Sequence, residues 1–151
     1  MAEFNGNIFE LAISREIEAY YFYKALADKT ATQEMRKVFE DLAEEELGHK
    51  AKLELEIIKA GKTVDFDRKL PEPRGPYIVS DDNELLDIDY KDMLLLGMEK
   101  EEAAFRIYVN LIPRVNDEHS REILFALAEE EVRHKLRFQN EYDALLEQSK
   151  S

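Results

Sequence analysis

Two short runs of acid and histidine carry the chemistry in this sequence, Ala43-Glu44-Glu45-Glu46-Leu47-Gly48-His49-Lys50 and Ala128-Glu129-Glu130-Glu131-Val132-Arg133-His134-Lys135. Each contains Glu-x-x-His. On a helix a step of three residues advances about 300°, so the carboxylate and imidazole of each pair turn to one face. The two runs share one frame, because adding 85 to Glu46 and His49 gives Glu131 and His134. A lone glutamate precedes each run by the same interval, Glu16 before Glu46 and Glu101 before Glu131. Carboxylates and imidazoles repeated in this way are the donor set of a metal site. The sequence contains no cysteine, which removes disulfides, thiolate metal sites, iron–sulfur clusters and thiol catalysis.

In a chain with 36% charged residues, one Glu-x-x-His is ordinarily a solvated helix face. The surrounding apolar pattern argues otherwise. Helix 1, over about 7–29, has Asn7 as a candidate cap with Glu10 at the reciprocal position, and an inward stripe of Phe9, Ala12, Ile13, Glu16, Ala19, Tyr20, Tyr23 and Leu26. Glu16 interrupts that stripe, and a buried, unpaired carboxylate costs several kcal/mol unless it is paired or holds a metal. Helix 2, over about 32–60, places Leu42, Glu46, His49 and Leu53 on one face and stops at Gly61. Helix 3, over about 89–112, carries Met93, Leu94, Gly97, Glu101 and Tyr108 inward and ends near Pro113. Helix 4, over about 117–147, is capped by Asn116 or Asp117 and carries Leu127, Glu131, His134 and Phe138.

Depth along the helices brings the acids together. Glu16 and Glu46 each lie 15 residues from residue 31, so an antiparallel hairpin sets them at one level, about 22 Å from the turn. Glu101 and Glu131 stand in the same relation to residue 116. The frame of 85 also carries Ala19 to Ala104, Tyr23 to Tyr108 and Leu42 to Leu127, which makes the chain one helical hairpin written twice. Two packed hairpins then converge four carboxylates and two imidazoles. Two divalent ions balance the four negative charges, so such a site can sit in an apolar bundle. One imidazole per ion suits iron or manganese better than calcium or magnesium, and zinc prefers four-coordinate sites.

The expected architecture is all-α, a single domain with a long crossover over about 61–88 between helices 2 and 3, where three prolines and two glycines fall together. The chain's 151 residues and 44% hydrophobic content suffice for one core. A formal net charge of −13 argues against nucleic acid or an anionic membrane as partner. No apolar run approaches the roughly 18 residues of a spanning helix and no signal segment is evident, so the cytoplasm is the expected compartment.

Residues around the site divide by direction. Glu44, Glu45, Glu129 and Glu130 point about 100° or 200° from the site face and read as solvated. His119 lies at the start of helix 4, far from the site's depth, and reads as a surface residue. Tyr23 and Tyr108 stand two turns beyond Glu16 and Glu101, where a phenol can relay electrons, donate to bound oxygen species, or simply fill the core with its hydroxyl satisfied.

Glu16-x-x-Ala19-x-x-x-Tyr23, the two Glu-x-x-His motifs and the crossover resemble the rubrerythrin branch of the ferritin-like superfamily over nearly the whole chain. The resemblance implies a ferritin-like four-helix bundle with Glu16, Glu46, His49, Glu101, Glu131 and His134 as ligands of a di-iron centre, manganese or a mixed pair also fitting. It implies reduction of hydrogen peroxide, with a ferroxidase or iron-buffering protein that oxidises Fe(II) with oxygen or peroxide as the alternative, and a homodimer as the assembly. Rubrerythrins usually append a rubredoxin-like iron–thiolate module, and a chain without cysteine has none, so electrons are expected from a separate donor protein. Ala104 stands where the family commonly holds an extra glutamate, which sets aside a mechanism in which one iron moves from His49 to that carboxylate.

Overall fold

A computed structural model describes residues 6–62 and 89–149. The described chain forms α1 (Gly6–Asp28), α2 (Gln33–Lys59), α3 (Tyr90–Leu111) and α4 (Glu118–Ser149), with a short 3₁₀ turn at Ile112–Arg114 before α4. From residue 63 to residue 88 the expected crossover lies outside the described residues.

Local chemistry sets the helix ends. Thr32 is extended, and its hydroxyl accepts from the Met35 N–H at 3.2 Å to open α2. Gly61, at φ 82°, closes it: the Gly61 N–H donates to Ile58 O at 2.9 Å and the Lys62 N–H to Ile57 O at 3.2 Å. Asp89 caps α3 by accepting from the Asp92 N–H at 2.9 Å. Asp117, rather than Asn116, receives the Ser120 N–H at 2.9 Å at the start of α4. Asn7 does not cap α1, because the helix already includes Gly6 and a cap requires non-helical backbone.

The helices pack as two antiparallel hairpins, α1 with α2 and α3 with α4, and α1 also touches α3. Their shared interior is apolar at both ends and polar in the middle. One apolar cluster gathers residues such as Phe9, Ile13, Ile57 and Leu124 and includes Tyr108. The other gathers Phe22, Leu26, Phe39 and Leu94 and includes Tyr23. Gly97 permits a close approach in the second cluster, since a Cβ there would lie 2.7 Å from the Phe138 ring. That ring packs against both Tyr23 and Phe39, with centroids 5.7 and 5.8 Å apart, so the glycine helps to seat Tyr23.

Candidate metal centre

Between the apolar clusters the four helices contribute Glu16, Glu46, His49, Glu101, Glu131 and His134, none more than 9% exposed. The structure brings all six predicted residues together. The His49 Nδ1 lies 3.4 Å from Glu16 and 3.6 Å from both Glu46 and Glu131. The His134 Nδ1 lies 3.3 Å from Glu46, 3.4 Å from Glu101 and 3.5 Å from Glu131. Glu46 and Glu131 are therefore shared between the two imidazoles, whereas Glu16 belongs to the His49 side and Glu101 to the His134 side. The imidazole rings stack with centroids 5.5 Å apart and planes within 5°.

These donors fit a pair of metal ions. Glu16 Oε1, both oxygens of Glu46, Glu101 Oε2, Glu131 Oε1 and both Nδ1 atoms are buried without a hydrogen-bond partner. So many orphaned acceptors in one interior would be costly in a site built for protons alone. Donor atoms of Glu46, His49, Glu131 and His134 lie within 4.8 Å of one another, a separation that metal ligation spans.

Electrostatics point the same way. Burial, reinforced by repulsion from Glu16 and Glu101, pushes the Glu46 carboxyl well above the usual carboxylate range. Burial does the same for Glu131, with Glu46 the largest source of repulsion. His134 is pushed up to about 9: burial alone would lower it, and the carboxylates of Glu101, Glu131 and Glu45 outweigh that. The cluster attracts positive charge, and protons compete with metal for it.

Both tyrosines belong to this layer. The Tyr23 hydroxyl donates to Glu101 and the Tyr108 hydroxyl to Glu16, so each hairpin's tyrosine grips the lone glutamate of the other. Burial and those neighbouring carboxylates raise both phenols well above their ordinary value, which keeps them protonated as donors.

Two residues behave differently from their sequence reading. Glu45, exposed as its helical angle implies, nevertheless brings Oε2 to 3.4 Å from the outward Nε2 of His134. That is long for a hydrogen bond, so the contact is chiefly electrostatic, yet it places a carboxylate behind a candidate ligand. Its repeat mate Glu130 is paired with Arg133. Glu45→Gln is expected to weaken metal binding by about ten-fold, the low end for such supporting contacts because the side chain is solvated. Competition against a chelator of known affinity checks this, and unchanged binding would leave Glu45 without a role. His119 is exposed, as its position implies, but its Nε2 meets buried Glu56 at 2.7 Å and ties α4 to α2 away from the site.

The family model for rubrerythrin matches residues 7–142. No curated protein matches the chain. Among solved structures, a hypothetical protein from Pyrococcus furiosus is similar at 29% identity and a TM-score of 0.69, covering 94% of this chain and 90% of its own. A candidate ferritin-like diiron-carboxylate protein from Thermotoga maritima shares 19% identity with a TM-score of 0.65, covering 94% of this chain and 96% of its own. The latter likeness establishes the ferritin-like fold and nothing beyond it. The family match reaches into all four helices and includes all six residues of the polar layer, and on that ground the chain belongs to the rubrerythrin family.

Proposed function

We propose that this protein is a non-haem di-iron oxidoreductase that reduces hydrogen peroxide with electrons from a separate donor protein. Glu16, Glu46, His49, Glu101, Glu131 and His134 hold the metal pair in this reading. The observation that carries it is the buried layer itself, in which both imidazole Nδ1 atoms and orphaned oxygens of all four glutamates share one interior. Iron, when bound there, supplies two electrons per turn from its ferrous pair, which with two protons convert one hydrogen peroxide to two waters.

The chain's own residues do the rest. Glu46 and Glu131, each within 3.6 Å of both imidazoles, would help to hold both ions. Tyr23 and Tyr108 hold Glu101 and Glu16 in place by hydrogen bonds donated from phenols that stay protonated. The apolar clusters on either side exclude bulk water, which strengthens every charge interaction in the layer. Preorganised donors of this kind spare the reaction the cost of reorganising solvent.

Stopped-flow mixing of the anaerobic ferrous protein with hydrogen peroxide tests the reading. The expected result is oxidation at least about a hundred-fold faster than free ferrous iron under the same conditions, a modest share of what enzymes commonly achieve. Oxidation no faster than free iron would remove the proposal. Iron accumulating well beyond a pair per chain on aerobic loading would instead assign the protein to iron handling.

A further inference from the structure

We propose that a narrow slit between α1 and α3 is the route by which the oxidant reaches the metal layer, and that Ala104 with its repeat mate Ala19 limits it to molecules of about two heavy atoms. The proposal deepens the peroxide-reducing reading and rests on it. A cavity of about 30 Å³ opens there, with Ala19, Ala103, Ala104 and Ile107 on its walls. Glu16, Glu46 and Glu131 line it as well, so it reaches from the bundle surface to three of the proposed ligands.

Orphaned donors distinguish this slit from a mere gap between small side chains. Glu16 Oε1, both oxygens of Glu46 and Glu131 Oε1 are buried without partners, and those three residues lie at the inner end of the cavity. A molecule entering from α1 and α3 therefore meets the reactive layer directly. Tyr108 also lines the slit, with its hydroxyl committed to Glu16.

Size follows from the walls. A volume of about 30 Å³ is about twice what one ordered water requires, enough for hydrogen peroxide or dioxygen and too little for a branched alkyl hydroperoxide. Charge follows from them too. Methyl and isoleucine side chains solvate no ion, so a neutral molecule passes most readily. At the rim stand Arg15 and Lys100, again mates in the frame of 85, and both lean on Glu18, at 3.8 and 2.8 Å. Lys100 also lies over the Phe22 ring, 5.6 Å from its centroid, so its ammonium is anchored at the edge. A second, larger cavity of about 410 Å³ touches Glu101 and Glu131 from the outer face of α3 and α4 and is the rival route.

The test closes and widens the slit in the iron-loaded full-length protein. Ala104→Leu fills it and Ala104→Gly enlarges it, at a partly exposed helix position that is not itself one of the proposed ligands. The metal-to-protein ratio should remain that of the unsubstituted protein in both. Nitric oxide association with the anaerobic ferrous protein, followed by absorbance, is the first readout and requires no peroxide chemistry. Ala104→Leu is expected to slow it, and the peroxide reaction with it, by about ten-fold or more. Ala104→Gly is expected to raise the rate with tert-butyl hydroperoxide relative to hydrogen peroxide. If Ala104→Leu loses metal, the smaller Ala104→Val replaces it in the same measurements.

A metal-loaded Ala104→Leu protein that binds nitric oxide as fast as the unsubstituted one would overturn the slit. So would slowing by Val132→Trp, which obstructs the outer groove, with no effect of Ala104→Leu. Failure of the peroxide reading looks different: the unsubstituted ferrous protein would not outpace free iron, while the nitric oxide comparison would still decide the route.

Discussion

Glu46→Leu will leave the chain unable to hold a metal pair, yet it will make the metal-free protein more stable. Glu46 sits where both imidazoles approach it, at 3.6 and 3.3 Å, so its loss removes a donor from both positions at once. In the metal-free protein the same carboxylate is fully buried with neither oxygen hydrogen-bonded, pressed against Glu16, Glu101 and Glu131. Leucine of similar volume removes that burden and joins the apolar residues above and below. Removing a buried polar group that lacks hydrogen-bond partners supports a gain of about 1–3 kcal/mol. Urea unfolding in the presence of a chelator measures it, with metal analysis of the same preparation. A destabilised variant, or one that retains the full metal content, would show that Glu46 serves the packing and not the metal.

The metal-free protein should also lose stability as pH rises, opposite in direction to its metal affinity. Glu46 and Glu131 keep their protons to a pH above the ordinary carboxylate value of 4.5, because burial and mutual repulsion disfavour their charge. Above 4.5 the native state thus binds more protons than the unfolded chain, and stability falls with increasing pH. His134 adds to the slope. Its protonated form, favoured by Glu101, Glu131 and Glu45, contributes stability that is fully present below 6.5 and lost as pH rises through about 9. That contribution is on the order of 3 kcal/mol.

Metal ligation needs the same groups deprotonated, so binding releases protons and tightens over the same window. Chelator-treated and metal-loaded samples unfolded at several pH values between 4.5 and 9 should diverge steadily. General repulsion from a formal net charge of −13 could also lower stability at high pH, and Glu46→Leu separates the causes. The slope should shrink in that variant if the buried layer is responsible and persist if surface charge is. A chelated protein whose stability rises from 6.5 to 9 would contradict the assignment of these groups.

The fold class was legible in the amino-acid order, and so was the burial of Glu16, Glu46, His49, Glu101, Glu131 and His134 in one layer. Apolar stripes of helical period, a frame of 85 and acids embedded inside the stripes specify two hairpins that bury their own carboxylates. Periodicity carries this information because burial face and helix angle are fixed by the same repeat of 3.6 residues. Equal spacing from the two turns likewise fixes depth, since rise per residue is constant.

What periodicity leaves open is which helix lies on which side of another. Glu45 stands one residue from Glu46 and so reads as turned away, yet α4 occupies the space it turns toward and places His134 Nε2 within 3.4 Å. For the same reason the exchange of tyrosines, Tyr23 to Glu101 and Tyr108 to Glu16, appears only once the hairpins are packed together. The slit at Ala19 and Ala104 is likewise a product of the approach of α1 to α3. Amino-acid order alone set the level of the polar layer and the inward faces that carry it, though Phe22 and Glu56 are buried outside those stripes. Only the tertiary structure decided which side chains touch across helices, because such contacts depend on distances between axes that no single helix encodes.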